Sequence, residues 1–334
     1  NTTHYGQELY DNRLDRVWSE VKTNSNFAQR LAEINEFNQT SPYKKKGIAI
    51  TPVKFGVSFN KTVYNQAGAL VLIYTDGSIQ LNHGGTEMGQ GLHTKMIQVA
   101  AHTLGVNIER FRMMHTSTEK VPNTSATAAS SGSDLNGQAI KNACETLKAR
   151  MAPVAAKILQ LDAPEDFIFE DDWIYCKSYP RARVSFDEVV QQTYNERISL
   201  SATGYYRTPN IHWNPVEGKG RPFYYFAYGA AVSEVEVDGL TGTFKLQKVD
   251  IVHDVGQSLN PFIDQGQIEG AFVQGMGWHT MEELVWDDQG RLRTFAPSTY
   301  KIPTISDVPE HFNVHLLERA PSNGVIYGSK AVGE

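Results

Sequence analysis

The stretch His83-Gly84-Gly85-Thr86-Glu87-Met88-Gly89-Gln90-Gly91-Leu92-His93-Thr94-Lys95 sets the terms for the whole chain. Upstream of it, Ala69 to Tyr74 and Ile79 to Asn82 are strand-like runs joined by Thr75-Asp76-Gly77-Ser78, whose Asp-Gly pair suits a tight hairpin. Downstream, Leu92, Met96, Val99, Ala100 and Leu104 recur at helical spacing. Strand, glycine loop and helix N-terminus in that order allow backbone N–H groups and the helix dipole to hold an anion. The four glycines between Gly84 and Gly91 let the main chain approach a ligand closely, because no Cβ intervenes. As a bare pattern this fits a phosphate cradle and a plain tight turn equally. It lacks the Gly-Lys-Ser/Thr ending of a P-loop and the spacing of a dinucleotide fingerprint.

Working outward, Leu14, Val17, Trp18 and Val21 predict a first helix with Asp11 as its N-cap. Phe27, Leu31, Ile34 and Phe37 predict a second, capped by Asn24 or Ser25. From Gly47 the texture becomes β-branched and aromatic, with strands expected over Gly47–Ile50 and Val53–Phe59. Asn136 to Leu159 reads as one long helix or two pieces broken at Pro153, and Ile168 to Cys176 as a strand pair around Asp171-Asp172. Asp187–Tyr194 is expected to be helical and Ser199–Tyr206 extended. Phe226–Val237 and Phe244–His253 form the clearest hairpin, and Pro261–Met276 a helix. Hairpins without a regular βαβ succession predict an α+β fold with mixed sheets, packed helices and two lobes. The expected divisions are 1–45 as a helical lead-in, 46–215 as a lobe carrying the glycine loop, and 216–334 as a second lobe, with the boundary near 205–222.

Composition narrows the function classes. With 334 residues, 40% of them hydrophobic, the chain can bury a sizeable core. Its formal charge of -6 argues against nucleic acid, which rewards a clustered basic surface. The single basic run, Lys44-Lys45-Lys46, reads as solvated. No window approaches the ~18 apolar residues of a membrane span. Cys144 and Cys176 are too few for a disulfide framework or an iron–sulfur cluster. The polar start Asn1-Thr2-Thr3-His4 shows no apolar leader, so a cytoplasmic setting is expected, and the lack of an initiating Met suggests a fragment or a processed piece.

The full string from His83 to Lys95 is far more specific than its glycines, and it resembles a signature of the molybdenum hydroxylases of the xanthine dehydrogenase and aldehyde oxidase type. Further segments of that family occur in the right order: Lys54 to Phe59, Val121 to Ser130, His253 to Gly256 with Asn260-Pro261, Gly266 to Ala271, and Gly328 to Glu334. The similarity runs from about Tyr43 to the last residue. It implies the C-terminal part of a molybdopterin-binding domain, with Met88, Gly89, Gln90, Ser130 and Gln267 against the pterin and Gln90 near a molybdenum ligand. No side chain is expected to bind the metal directly, since the dithiolene of the pterin holds it. On the substrate side the resemblance implies Phe59, presenting an edge to a planar heterocycle, with Asn60, Ala128 and Ala129; Ala129 also lies near the metal. Asn60 departs from the threonine frequent in the family.

Glu334 is implied to be the general base, taking a proton from the oxygen nucleophile that attacks an electron-poor ring carbon. An apolar floor of Ala331 and Val332 tends to raise its pKa. His83, His93 and His253 are expected to be structural, and Asp254 to order a loop. The implied reaction is oxidation of hypoxanthine and xanthine to urate with water as oxygen source, electrons passing to iron–sulfur and FAD modules and then NAD. An aldehyde oxidase-type hydroxylase is the nearest rival, and a non-catalytic nucleotide- or phosphate-binding module the alternative of another class. Two family segments, a Gly-Gly-Phe-Gly-Gly loop and a Phe-Arg-Gly-Phe-Gly stretch, are absent here. Activity is therefore expected only with partners: the N-terminal part of the molybdenum domain, 2Fe-2S and FAD domains or subunits, and a second copy in a dimer.

Overall fold

The computed structural model describes residues 2–120, 123–162 and 166–332. Glu334, and Val121-Pro122 of the family-like segment, lie outside the described residues. The elements are α1 (Leu14–Asn24), α2 (Phe27–Thr40), β1 (Lys44–Val57), β2 (Gln66–Ile73), β3 (Ile79–His83), α3 (Leu92–Leu104), β4 (Phe111–Met113), α4 (Gly132–Leu159), β5 (Phe167–Glu170), β6 (Trp173–Cys176), β7 (Arg183–Ser185), α5 (Phe186–Asn195), β8 (Ser201–Arg207), β9 (His212–Asn214), β10 (Lys219–Arg221), β11 (Tyr225–Asp238), β12 (Phe244–His253), α6 (Pro261–Thr280) and β13 (His311–Leu316). The fold is α+β, as the pattern of hairpins predicts.

One sheet runs β4-β3-β2-β8 and carries α3 and α4 on its face. The β2–β3 turn is the predicted Asp-Gly hairpin, with Gly77 in the left-handed region at φ 80°. α4 runs unbroken through Pro153, which lies on its exposed side. Ala139 and Ala143 of α4 approach β8 so closely that a Cβ on Gly204 would collide with the Ala139 carbonyl. Fully buried Ile79, Leu81, Met96, Leu104, Ile140 and Leu147 fill the space between helices and sheet, each worth about 1.5–3 kcal/mol of burial.

A second sheet runs β1-β11-β12-β13, antiparallel except for the parallel β12–β13 pair. β1 pairs with β11 along its whole length, from Lys44↔Asp238 to Val57↔Tyr225. The strand that opens the 46–215 stretch is thus built into the sheet of the 216–334 stretch. α1 packs on β11 and β12 through fully buried Val17 and Val21.

Two expected caps are corrected. Asp11 does not cap α1: its carboxylate pairs with Arg13 at 2.7 Å, and Asn12 Oδ1 instead accepts the Leu14 N–H at 3.1 Å. At α2 neither Asn24 nor Ser25 caps. The N-cap position is Asn26, at φ 52° and without a side-chain cap bond, while Ser25 Oγ donates back to the Lys22 carbonyl.

Candidate active site

The glycine loop leaves β3 at His83, whose Nδ1 accepts the Gly85 N–H at 3.0 Å. Gln90 closes the loop on itself: Oε1 accepts the Met88 N–H at 2.6 Å and Nε2 donates to the Thr86 carbonyl at 2.9 Å. Glu87 does more. Its Oε1 accepts from the N–H groups of Gly89 and Gly91, each at 3.0 Å, and Oε2 accepts from His93 N–H at 2.8 Å. Two donors at the start of α3, the N–H groups of Gly91 and His93, are therefore already taken by the chain's own carboxylate. Of the two readings the bare pattern leaves open, this favours the tight turn over a phosphate cradle, because a tethered carboxylate needs no ligand to be recruited. Burial pushes the Glu87 carboxyl up, but the three backbone donors outweigh it and hold it below the ordinary value.

His83 is buried and stacks edge-on to His93, with ring centroids 5.2 Å apart. Burial, and then the charge of His93, depress its pKa to about 4, so it is a neutral acceptor for Gly85.

A second turn meets the first. Thr127 Oγ1 accepts the Thr86 N–H at 2.9 Å, and after it Ala129 and Ser130 both adopt left-handed backbone, at φ 54° and 48°. Two consecutive non-glycine residues there cost about 1–2 kcal/mol each. The Ala128 carbonyl helps to offset this by accepting both the Ser131 N–H at 3.3 Å and the Ser131 hydroxyl at 3.0 Å.

The third element is the segment 328–332. The Lys330 N–H donates to the Val255 carbonyl at 2.8 Å, and Lys330 Nζ lies 2.5 Å from Asp254 Oδ2 with both side chains almost fully buried. Arg13 Nη1 reaches the other oxygen of Asp254 at 3.0 Å. Tyr225 Oη accepts the Ala331 N–H at 2.7 Å and donates to Asp134 Oδ2 at 2.6 Å. Asp134 is only half-buried as a residue, but its Oδ1 is sealed from solvent and meets no donor among the described residues. Burial pushes its pKa up to about 7, against the pull of Tyr225 and of the Lys95 charge. Lys95 itself lies 2.5 Å from Asp264 Oδ1, a second buried ion pair that ties α3 to α6.

These elements line a cleft of about 190 Å³, partly open to solvent. Met88, Gln90, Ala128, Ser130 and Gln267 all line it, together with Lys330, Ala331 and Val332. Gly89 does not line it; its N–H turns to Glu87. Phe59, Asn60 and Ala129 line a neighbouring cleft with Phe223 and Phe226, and the two clefts meet at the 128–130 turn. Asn65 fixes Phe59 by accepting its N–H at 2.7 Å and donating to its carbonyl at 2.8 Å. Tyr64 lies edge-on to the Phe59 ring, with centroids 5.6 Å apart. Met88, Gln90, Ser130 and Gln267 thus share one space and Phe59, Asn60 and Ala129 the adjoining one; Ala128, expected with the second group, lines the first. Sequence reasoning missed Asp134, Tyr225 and Asp264. Asp134 reads locally as an acid favourable to a helix N-terminus, and its partner is 91 residues away.

Comparison with known proteins gives concordant results. A family model described as a molybdopterin cofactor-binding domain matches residues 20–309. Xanthine dehydrogenase/oxidase of Gallus gallus is 49% identical over 332 residues, which is 99% of this chain and 23% of that protein. Xanthine dehydrogenase of Dictyostelium discoideum is 48% identical over 335 residues, again 99% of this chain and 23% of the relative. Among solved structures, quinoline 2-oxidoreductase from Pseudomonas putida 86 superposes with a TM-score of 0.86 at 26% identity, covering 100% of this chain and 42% of that one. The chain thus spans about a quarter of the length of the curated relatives it matches.

Proposed function

The chain belongs to the molybdopterin cofactor-binding domain family, and from that premise we propose that its larger protein is a molybdenum hydroxylase oxidising hypoxanthine and xanthine to urate. The observation that carries this is the convergence of Met88, Gln90, Ser130 and Gln267, from three separated stretches of sequence, on one cleft bounded by Lys330 to Val332. The lining fits a pterin: the carboxamides of Gln90 and Gln267 and the hydroxyls of Ser130 and Ser133 would match a ring system rich in donors and acceptors, while Leu92, Leu259 and Val332 supply apolar surface. Gln90 spends one valence of each amide atom on its own loop and retains the other for a ligand. Glu87 filling the α3 N-terminus weighs against a nucleotide phosphate there.

When bound, molybdenum-molybdopterin supplies two-electron acceptance and activation of water. Phe59 gives a planar heterocycle an aromatic edge and small Ala129 leaves it room, while Ala128 faces the adjoining cleft. Glu334 accepts the proton released as water oxygen is transferred to the ring carbon, a contribution of roughly 100- to 10,000-fold. Electrons leave toward 2Fe-2S and FAD modules and then NAD, in a dimeric cytoplasmic assembly whose N-terminal molybdenum-domain half completes the site.

The test isolates the native full-length protein and assays molybdenum, fluorescent oxidised pterin and urate formed from xanthine. The expected result is all three, with Glu334→Gln lowering kcat at least about 100-fold at unchanged pterin content. Absence of molybdenum and urate overturns the reading.

A further inference from the structure

The hydrogen bond nearest to Glu334 along the chain, among the described residues, is the one that Ala331 makes to Tyr225. Earlier bonds fix the segment to the end of β12: the Gln257 N–H donates to the Gly328 carbonyl at 2.7 Å, and Lys330 N–H to Val255. None of them acts beyond Lys330. Tyr225 is the first residue of β11 and pairs with Val57, the last residue of β1, so its backbone is held at the end of that pair, ahead of the Gly229–His253 pair where β12 joins. Its hydroxyl has one proton and accepts readily. The proton goes to Asp134 at 2.6 Å, which leaves the oxygen lone pairs for the Ala331 N–H at 2.7 Å.

Asp134 belongs to the first turn of α4, directly after the left-handed Ala129-Ser130 pair. One hydroxyl therefore couples the turn that divides the two clefts to the segment that leads into Glu334. A tie that merely stabilised the fold would have no need to join these two places. Its second acceptor oxygen, Asp134 Oδ1, is sealed and unmatched, an arrangement that costs stability and suits a carboxyl kept to orient one partner.

We infer that Tyr225, oriented by Asp134, is a positioning residue for Glu334: it fixes Ala331, and through it the approach of the base to the substrate clefts. This rests on the reading of Glu334 as the base. Misplacement of a reacting group by about 1 Å costs on the order of 100-fold in rate, so loss of the tie should be read mainly in kcat.

The experiment uses the full-length holoenzyme with Tyr225→Phe, Asp134→Asn, Glu334→Gln and the double variant Tyr225→Phe/Glu334→Gln. Expected for Tyr225→Phe is a kcat about 10- to 100-fold lower per bound molybdenum, with KM and pterin content unchanged. Amide exchange at Ala331 should be at least about tenfold faster, since its acceptor is gone. The double variant should be no slower than Glu334→Gln alone, because both changes act through one group. Asp134→Asn should move kcat and Ala331 exchange in the same direction by less, and it supplies the same measurement if Tyr225→Phe does not fold. A Tyr225→Phe enzyme with normal kcat per molybdenum but lower thermal stability overturns the inference, as does a double variant whose losses multiply. Full activity in Glu334→Gln overturns the base assignment itself; exchange at Ala331 then still reads the hydrogen bond, so the two failures are told apart.

Discussion

The two walls of the main cleft are held by opposite means. The glycine-loop wall is fixed mostly by its own neighbours: Gln90 and Glu87 satisfy backbone groups no more than 6 residues away, with neutral bonds to Thr116 and Thr127 as its longer ties. The terminal wall is fixed from across the chain, Lys330 by Asp254 at a separation of 76 residues, Ala331 by Tyr225 at 106, and Asp254 in turn by Arg13 at 241. A wall built locally tolerates change, because a displaced loop still meets water. A wall built from buried charges does not, because a broken pair strands a charge in a low-dielectric interior.

The largest effect should therefore follow from Lys330→Met, which leaves the fully buried Asp254 carboxylate with Arg13 as its cation and the Gly256 N–H as a further donor. A loss of about 3–5 kcal/mol in unfolding free energy is expected from urea denaturation. A loss below about 1 kcal/mol, the level of an exposed pair, would erase the contrast between the walls. On the other side, Glu87→Gln keeps an acceptor at the α3 N-terminus but removes its charge, for an expected cost of about 1–2 kcal/mol. Faster amide exchange should be confined to Gly89, Gly91 and His93, the three groups that Glu87 serves; exchange spreading through α3 would mean that the loop is not self-contained.

A third effect is a pair of opposed pH slopes, one from each wall. His83, on the loop wall, has a pKa of about 4 when folded against an ordinary 6.5. Below pH 6.5 the unfolded chain takes up a proton that the folded chain refuses, so this contribution to stability falls as pH drops toward 4. Asp134, tied to the terminal wall, has a pKa of about 7 when folded against an ordinary 3.8. Between those values the folded chain keeps a proton that the unfolded chain releases, so its contribution falls as pH rises. Urea midpoints measured from pH 4.5 to 6.5 should accordingly tilt in opposite directions, downward with pH for His83→Gln and upward for Asp134→Asn, relative to the unmodified protein. A tilt of both in one direction would contradict the assignment.

The same contrast explains what was legible in the sequence. The β2–β3 hairpin, the β5–β6 turn at Asp171-Asp172 with both residues left-handed, the β11–β12 hairpin and helices α3 and α6 follow from short-range pattern, and each appears within a few residues of its expected limits. The caps of α1 and α2 did not, because several polar residues compete there and the choice depends on tertiary partners such as Arg13, which leads to Asp254 and the Ala320 carbonyl. The pairing of β1 with β11 and of β12 with β13 joins strands distant in sequence, which local alternation does not specify. At the site, the glycine loop and the 128–130 turn were readable as segments, but the filling of the α3 N-terminus by Glu87 was not, since Glu87 reads as an ordinary loop acid. Asp134 and Tyr225 gave no local signal at all: one resembles a helix-start acid and the other a strand aromatic.

Pterin binding in the cleft between these walls is measured most directly by the oxidised-pterin fluorescence recovered from the native full-length protein and from its Gln90→Ala/Gln267→Ala variant. Pterin in the unmodified protein and a loss of at least about tenfold in the variant, the effect of roughly 1.4 kcal/mol of lost contacts, is the predicted result. Equal pterin recovered from both proteins, or none from either, would contradict it.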